Sequence, residues 1–418
     1  MTTRSGPSAP PVKSHRIFWA LLSMTICVSS LSFSVDPNRP SLDPLLEELT
    51  AQGNIVLGAL LLGSLAALAW PGGRSRHSRG VVSAAAVWYL VFELGFSALY
   101  LASGNMQRGV VGPCLFLLTF AVFGMGLPRF IRDADSIDPL FKMVAWAVIL
   151  MLALVFYQLF RDPEAIFRSS RLCGLTGNPQ LFASYCVVFM FPMICFCLRT
   201  PSYYWKLICL VLSGILALSV IMCGSRTGLI MIVAGLGVMF RKTGRAYLLL
   251  PLLCIIMLVG WSVLQTEESS SMIEDRFGEY PTENTRQEAW SMMWEVFVEN
   301  PLFGDIESVT ESESSYLGAL SRFGLIGTMP LIISMMLIAG TVARLYRIRS
   351  KLGGDVALVD LVAAGFVAMA LGAVTEGFLM ATRTPILYMI YVYFAIISYL
   401  LNRAGTTNAA AGRRVGRR

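Results

Sequence analysis

The sequence predicts an all-α, polytopic integral membrane protein with about twelve transmembrane helices, and three observations lead there. Charged residues make up only 14% of the chain and hydrophobic residues 56%, whereas a water-soluble domain carries about 25% charge. Apolar runs recur at roughly 20 residues, the length a helix needs to cross a bilayer, without the short alternating pattern of barrel strands. Lys and Arg collect in alternate connections, as the positive-inside rule requires.

Hydropathy places the spans at roughly 17–35, 54–71, 80–101, 107–127, 141–160, 179–198, 206–223, 227–240, 246–264, 315–340, 356–376 and 384–402. The whole chain, 1–418, reads as one membrane domain. Its first apolar run resembles an uncleaved start-transfer helix, because no small-residue cleavage site follows it. With both termini cytoplasmic, the inner side collects 23 of the 33 basic residues, including Arg16, Lys142, Arg199, Arg349 and Arg403. The net charge of +7 therefore reflects topology and gives no reason to expect nucleic acid. The nine cysteines lie in or beside spans, except Cys173, and read as small apolar packing residues.

Most connections are short. The exception is the segment 265–314 between the ninth and tenth spans, expected on the extracytoplasmic side. It holds thirteen acids and two arginines, Arg276 and Arg286. Within it, Thr285 and Glu288 form a capping-box pattern. Trp290, Met293, Trp294, Phe297 and Val298 follow at helical spacing, and Asn300-Pro301 ends the run. This amphipathic helix suits either the membrane boundary or packing on the bundle. A second outer connection, 161–179, carries Arg161, Arg168 and Arg171 before Gly177-Asn178-Pro179. The tight turn Gly224-Ser225-Arg226-Thr227-Gly228 holds Arg226 between two apolar helices. A cation there is costly unless it meets water or an anion.

The only histidines, His15 and His77, fall on the expected inner side. No zinc-ligand spacing, Walker motif, dinucleotide fingerprint or nucleophile elbow stands in a credible context. ATP-driven pumping and zinc proteolysis are thus disfavoured. The outer face offers arginines and carboxylates. Arginine forks match the oxygens of a diphosphate leaving group, and a desolvated Glu accepts a hydroxyl proton. No metal or other cofactor is then needed. Composition and topology equally allow a secondary transporter or a flippase of lipid-linked sugars. Glu93, midway in the third span, would then be a proton-path residue; otherwise it is a carboxyl hydrogen-bonded in the bundle. Glu376 and Arg383 flank the last outer turn and are positioned to pair with each other.

Three segments resemble the O-antigen ligase and polymerase family. The first is Arg171-Leu-Cys-Gly-Leu-Thr-Gly-Asn178-Pro179. The second is Gly224-Ser225-Arg226-Thr227-Gly228-Leu229. The third runs from Arg286 through Trp290 and Asn300-Pro301-Leu302-Phe303-Gly304 to Glu313-Ser-Ser-Tyr316-Leu317 and Gly324-Leu-Ile-Gly327. The resemblance covers about residues 168–330. It implies a GT-C-like membrane glycosyltransferase of the bacterial inner membrane, with its active site on the extracytoplasmic face. Its donor would be an undecaprenyl-diphosphate-linked oligosaccharide, and its other partners membrane lipid and further polysaccharide-assembly proteins. Carried over, Arg171 and Arg226 would grip the diphosphate, with Glu313 as the proton acceptor. Arg286, Arg168, Tyr316 and Asn178 would contact substrate. Ligases of this family carry His where Glu313 stands. The sequence is therefore read as a polymerase of repeat units, with ligase as the alternative.

Overall fold

The computed structural model describes residues 13–31, 42–69, 83–131, 134–168, 171–241, 285–308, 313–381 and 383–415. It is a helical bundle whose elements follow the apolar runs. In chain order these are α1 (Lys13–Ser29), α2 (Pro44–Ala51), α3 (Gly53–Ala69), α4 (Ala84–Ala102), α5 (Gly112–Thr119), α6 (Leu127–Phe130) and α7 (Ala134–Arg161). There follow α8 (Pro179–Arg199), α9 (Tyr203–Met222), α10 (Arg226–Phe240), α11 (Thr285–Glu299), α12 (Ser315–Arg347), α13 (Val356–Thr375) and α14 (Pro385–Val415).

Among the described residues, eight helices are long and apolar enough to cross a membrane, or nine if α2 and α3, bent by 68° at their junction, count as one span. Two shorter apolar helices, Arg16–Ser29 and Arg226–Phe240, add to these. The twelve spans expected from hydropathy are thus not all full-length crossings. The first and eighth correspond to these shorter helices, and the second to α3, whose bent junction with α2 lies just before it. The ninth, 246–264, lies outside the described residues.

Local signals set the helix ends. Asp43, Asn178, Ser225 and Ser314 cap α2, α8, α10 and α12, their side chains accepting backbone N–H bonds in the first turn. Pro44 and Pro179 stand in those first turns, where a missing N–H costs nothing. Two π-helical segments, Gln107–Val111 and Phe120–Gly126, flank α5, and α6 continues the same apolar span.

Burial ranks the helices. Of the apolar stretch of α14, 89% is buried, and of α8, 83%, against 22% for α12. The first two are therefore central and α12 peripheral. Glu93 of α4 is buried, and Tyr391 of α14 donates to its Oε2 at 3.1 Å. A hydroxyl donor from the central helix thus meets this carboxyl.

One end of the bundle is tied by ion pairs. Arg349 grips Asp360 through two bonds, at 2.7 and 2.6 Å. Asp355 receives Arg199 at 3.5 Å, Arg403 at 3.3 Å and the Tyr399 hydroxyl at 3.0 Å. These cations, grouped on one side by the sequence reading, share one end of the fold. Arg383 does not pair with Glu376 as expected. Its guanidinium donates to the carbonyls of Leu31 and Thr50 at 3.2 and 2.9 Å. The backbone ends of two helices offer it fixed acceptors.

Candidate diphosphate-binding site

The site begins with the connection between α7 and α8. Phe167–Arg168 (β1) and Arg171–Leu172 (β2) pair antiparallel, with Arg168 opposite Arg171. The chain then turns through Gly177 at φ +69 into the Asn178 cap. This hairpin aims Arg171 inward. The residue is 8% exposed, and its guanidinium donates from Nε to the Cys223 carbonyl at 2.8 Å. Gly224 lies beside it at φ +56, a left-handed backbone that glycine adopts without strain.

The next residues belong to the family-like turn. Ser225 accepts the Gly228 N–H at 3.1 Å and starts α10. Thr227 is buried and shares a 2.9 Å hydrogen bond with Thr375 of α13. Arg286, in the first turn of α11, joins the group. It donates to Thr227 Oγ1 at 3.3 Å and to Glu376 Oε1 at 2.8 Å, and its Nε lies 3.7 Å from Glu313 Oε2. One arginine therefore links four segments that are distant in the chain.

Glu376 is the residue that sequence reasoning misjudged. It follows α13 directly and is 5% exposed. Its main-chain carbonyl accepts from the Ser315 N–H at 3.1 Å and from the Ser315 hydroxyl, tying α12 to the α13–α14 connection. Burial raises its carboxyl to about 7, against the opposing pull of the Arg286 charge and hydrogen bond. The nearby Glu313 charge raises it further, and Arg171 lowers it. The available signal was a single acid beside a glycine at a helix end, indistinguishable in sequence from a surface residue.

The other sequence candidates are placed as follows. Arg226 is exposed at the first position of α10 and has no ion pair among the described residues. Asn178 spends its side-chain oxygen capping α8, accepting from the Gln180 and Leu181 N–H groups at 2.9 and 3.3 Å. Tyr316 is partly buried and its hydroxyl donates to the Ala370 carbonyl at 3.4 Å. Arg168 is described by its backbone in β1. The structure thus brings Arg171, Arg286 and Glu313 around Glu376 and Thr227, and leaves Asn178 and Tyr316 holding helices. Within α11, Ala289, Met293 and Val296 form the packed face, against Trp290 and Leu317. Trp294 and Val298, expected on that face, are 54% and 57% exposed. Among the described residues, the face that α11 buries is the one turned to Leu317 of α12.

The segment after α11 re-enters the bundle by a glycine interlock. Gly304 and Gly324 have φ +68 and +60. The Leu325 N–H reaches the Pro301 carbonyl at 2.8 Å, and the Asp305 N–H reaches that of Ser321 at 2.8 Å. A Cβ on Gly324 would lie 2.3 Å from the Leu302 backbone, and one on Gly304 2.5 Å from that of Arg322. Two backbones approach closely at this point, and only glycine permits it.

Fold and site together define a polytopic helical membrane protein with an arginine–carboxylate cluster at one end of its bundle. Residues 209–304 match the family model described as O-antigen ligase, and the resemblance to the O-antigen ligase and polymerase family holds on that comparison. The matched stretch contains the Ser225 turn, Arg226, Arg286 and Pro301–Gly304, whereas Arg171, Glu313 and Glu376 lie outside it. No curated protein matches the chain.

Proposed function

We propose that this protein polymerises undecaprenyl-diphosphate-linked oligosaccharide repeat units by inverting, metal-independent glycosyl transfer on the extracytoplasmic face of the bacterial inner membrane. The observation that carries the reading is that Arg286 bonds Glu376 and Thr227, that the Arg171 charge acts on the same carboxyl while its Nε is held by the Cys223 carbonyl, and that Arg226 is one residue from the Thr227 contact. Arg171 and Arg286 act on two carboxyls, of which Glu376 is shifted toward its neutral form by burial, and Arg226 stands exposed at the adjacent helix start with no ion pair among the described residues. In the step proposed, the acceptor hydroxyl attacks the anomeric carbon of the growing chain while the bond to the diphosphate breaks. Arg171 and Arg226 stabilise the charge that develops on the leaving diphosphate. Glu313 takes the hydroxyl proton; its Oε2 is buried, lies 3.7 Å from the Arg286 Nε and has no hydrogen-bond donor among the described residues. Glu376 holds Arg286 in place.

A second reading, compatible with the same family match, is a ligase that moves the glycan onto a different acceptor. Purified protein in liposomes, supplied with lipid-linked repeat units and no ion gradient, distinguishes them. A ladder of longer lipid-linked chains supports polymerisation. No product without a separate acceptor supports ligation, and movement of substrate without bond formation supports transport.

A further inference from the structure

Helix α11 carries more apolar surface than its packed stripe uses. That stripe is Ala289, Met293 and Val296, turned to Leu317. At about 100° per residue, the neighbouring sector of the helix holds Phe297, Trp290, Trp294 and Val298. Trp294 and Val298 are exposed there, and the Trp294 ring lies 5.5 Å from that of Phe297. The sector after that holds Ser291, Glu295, Glu288 and Glu299, all exposed. Gln287 interrupts the apolar sector only in the first turn, and exposed Met292 lies on the other edge of the packed stripe, beside Glu288 and Glu299. The helix thus has three faces: one on protein, one acidic, and one apolar and exposed.

The exposed face runs on past Asn300-Pro301, where Leu302 and Phe303 are 54% and 72% exposed. This turn is bonded to α12 at its kink. The Leu325 and Ile326 N–H groups donate to the Pro301 and Leu302 carbonyls at 2.8 and 3.1 Å. Before the kink at Gly324, α12 buries Gly318, Ala319, Arg322 and Phe323. After it, Leu325, Ile326, Met329 and Met336 are exposed, the apolar surface that a span turns to lipid. Leu325 stands nineteen residues before Arg344 on α12, about 28 Å at 1.5 Å per residue, against roughly 30 Å for a hydrocarbon core. With Arg344 and Arg347 at one bilayer surface, the kink stands at the other. Leu302 and Phe303 sit at that level, and the polar Asp305 and Glu307 follow at once.

We infer that α11 lies in the bilayer interface on the side of the arginine cluster, with Trp294, Val298, Leu302 and Phe303 at the acyl-chain border and Glu288, Glu295 and Glu299 toward water. Lipid is the occupant because this face is continuous with the lipid-facing wall of α12, and because tryptophan beside aliphatic residues suits that boundary. The acids of the outer sector oppose a contact with anionic headgroups, so the attachment is by apolar burial. It does not depend on the glycosyl-transfer reading. The test uses the full-length protein in phosphatidylcholine liposomes, with one nitroxide moved through positions 291–299 and 303 of a variant whose native cysteines are alanine. Collision with oxygen, which concentrates among acyl chains, is compared with collision with a water-soluble nickel chelate. The oxygen-to-nickel ratio should follow the helical period, highest at 294 and 298, high at 303, and lowest at 292, 295 and 299. Leu302→Ser with Phe303→Ser should drop the ratio at 298 to the value at 295. Where the cysteine-free variant fails to fold, wild type is irradiated in liposomes holding a phospholipid with a photoreactive group high on its acyl chain. Adducts should then map to Trp294, Val298, Leu302 or Phe303, and none to Ser291 or Glu295. Equal ratios at 294, 295, 298 and 299, low collision with both reagents at 294 and 298 (the sign of a protein cover), an unchanged ratio at 298 after the serine pair, or adducts absent from those four residues would each overturn the assignment.

Discussion

Arg226 and Glu313 test the chemistry most directly, because neither is committed to holding a helix. Arg226→Lys keeps the charge and loses the planar fork. Polymer output should fall on the order of tenfold or more, the loss expected when a preorganised charge-stabilising donor is degraded. Wild-type chain length in that variant removes the diphosphate role. Glu313→Gln should lower turnover by about 10²–10⁴-fold, the usual contribution of a general base, with little change in KM for the lipid-linked donor. Output equal to wild type would transfer the base role elsewhere in the cluster. Arg171 is different. It is buried and bonded to the Cys223 carbonyl, so its replacement would disturb the α9–α10 turn as well as the charge.

Two elements carry structural predictions. The first is the interlock between the Pro301–Gly304 turn and the kink of α12. Gly324→Ala places a methyl 2.3 Å from the Leu302 backbone at a φ of +60. A loss of about 1–3 kcal/mol is expected from the backbone strain alone, read as a lower melting temperature in detergent and as weakened seating of Glu313. The second is the connection after α13. Glu376 is raised from an ordinary 4.5 to about 7 in the native protein, chiefly by burial. Between those values the native state holds a proton that the unfolded chain has released. Stability contributed by this group is therefore present at low pH and lost as pH rises through about 7. Glu376→Gln should flatten the decline in melting temperature between pH 5 and 8. An unchanged slope would show that another group sets it.

At the scale of the molecule, the two ends of the bundle divide the charges. Arg171, Arg226, Arg286, Glu313 and Glu376 occupy one, while Arg199, Arg349, Arg403, Asp355 and Asp360 occupy the other. The first is expected outside the cytoplasm. Glu307→Cys, in a background where exposed Cys114 is replaced, should react with a membrane-impermeant maleimide in intact spheroplasts. Lys351→Cys should react only after permeabilisation. The reverse pattern would invert the topology and move the cluster to the cytoplasmic face.

How far this protein was legible in advance depended on the range of the physics. Bilayer thickness and the cost of unpaired backbone act along one segment, so composition and hydropathy alone determined an all-α membrane bundle and most helix positions. Caps such as Ser225 and Asn178, and the end of α11 at Asn300-Pro301, are equally local. Motif residues also announced Arg171, Arg226 and Arg286 as a set. Tertiary structure alone decided what those arginines face. Arg286 meets Glu376 across 90 residues of sequence, and no periodicity links the two. Which turn of α11 is packed, and which carboxylate is desolvated enough to hold a proton near neutrality, depend on surfaces brought together by helices far apart in the chain. Burial and partner geometry are properties of the assembled bundle, and a linear pattern does not contain them.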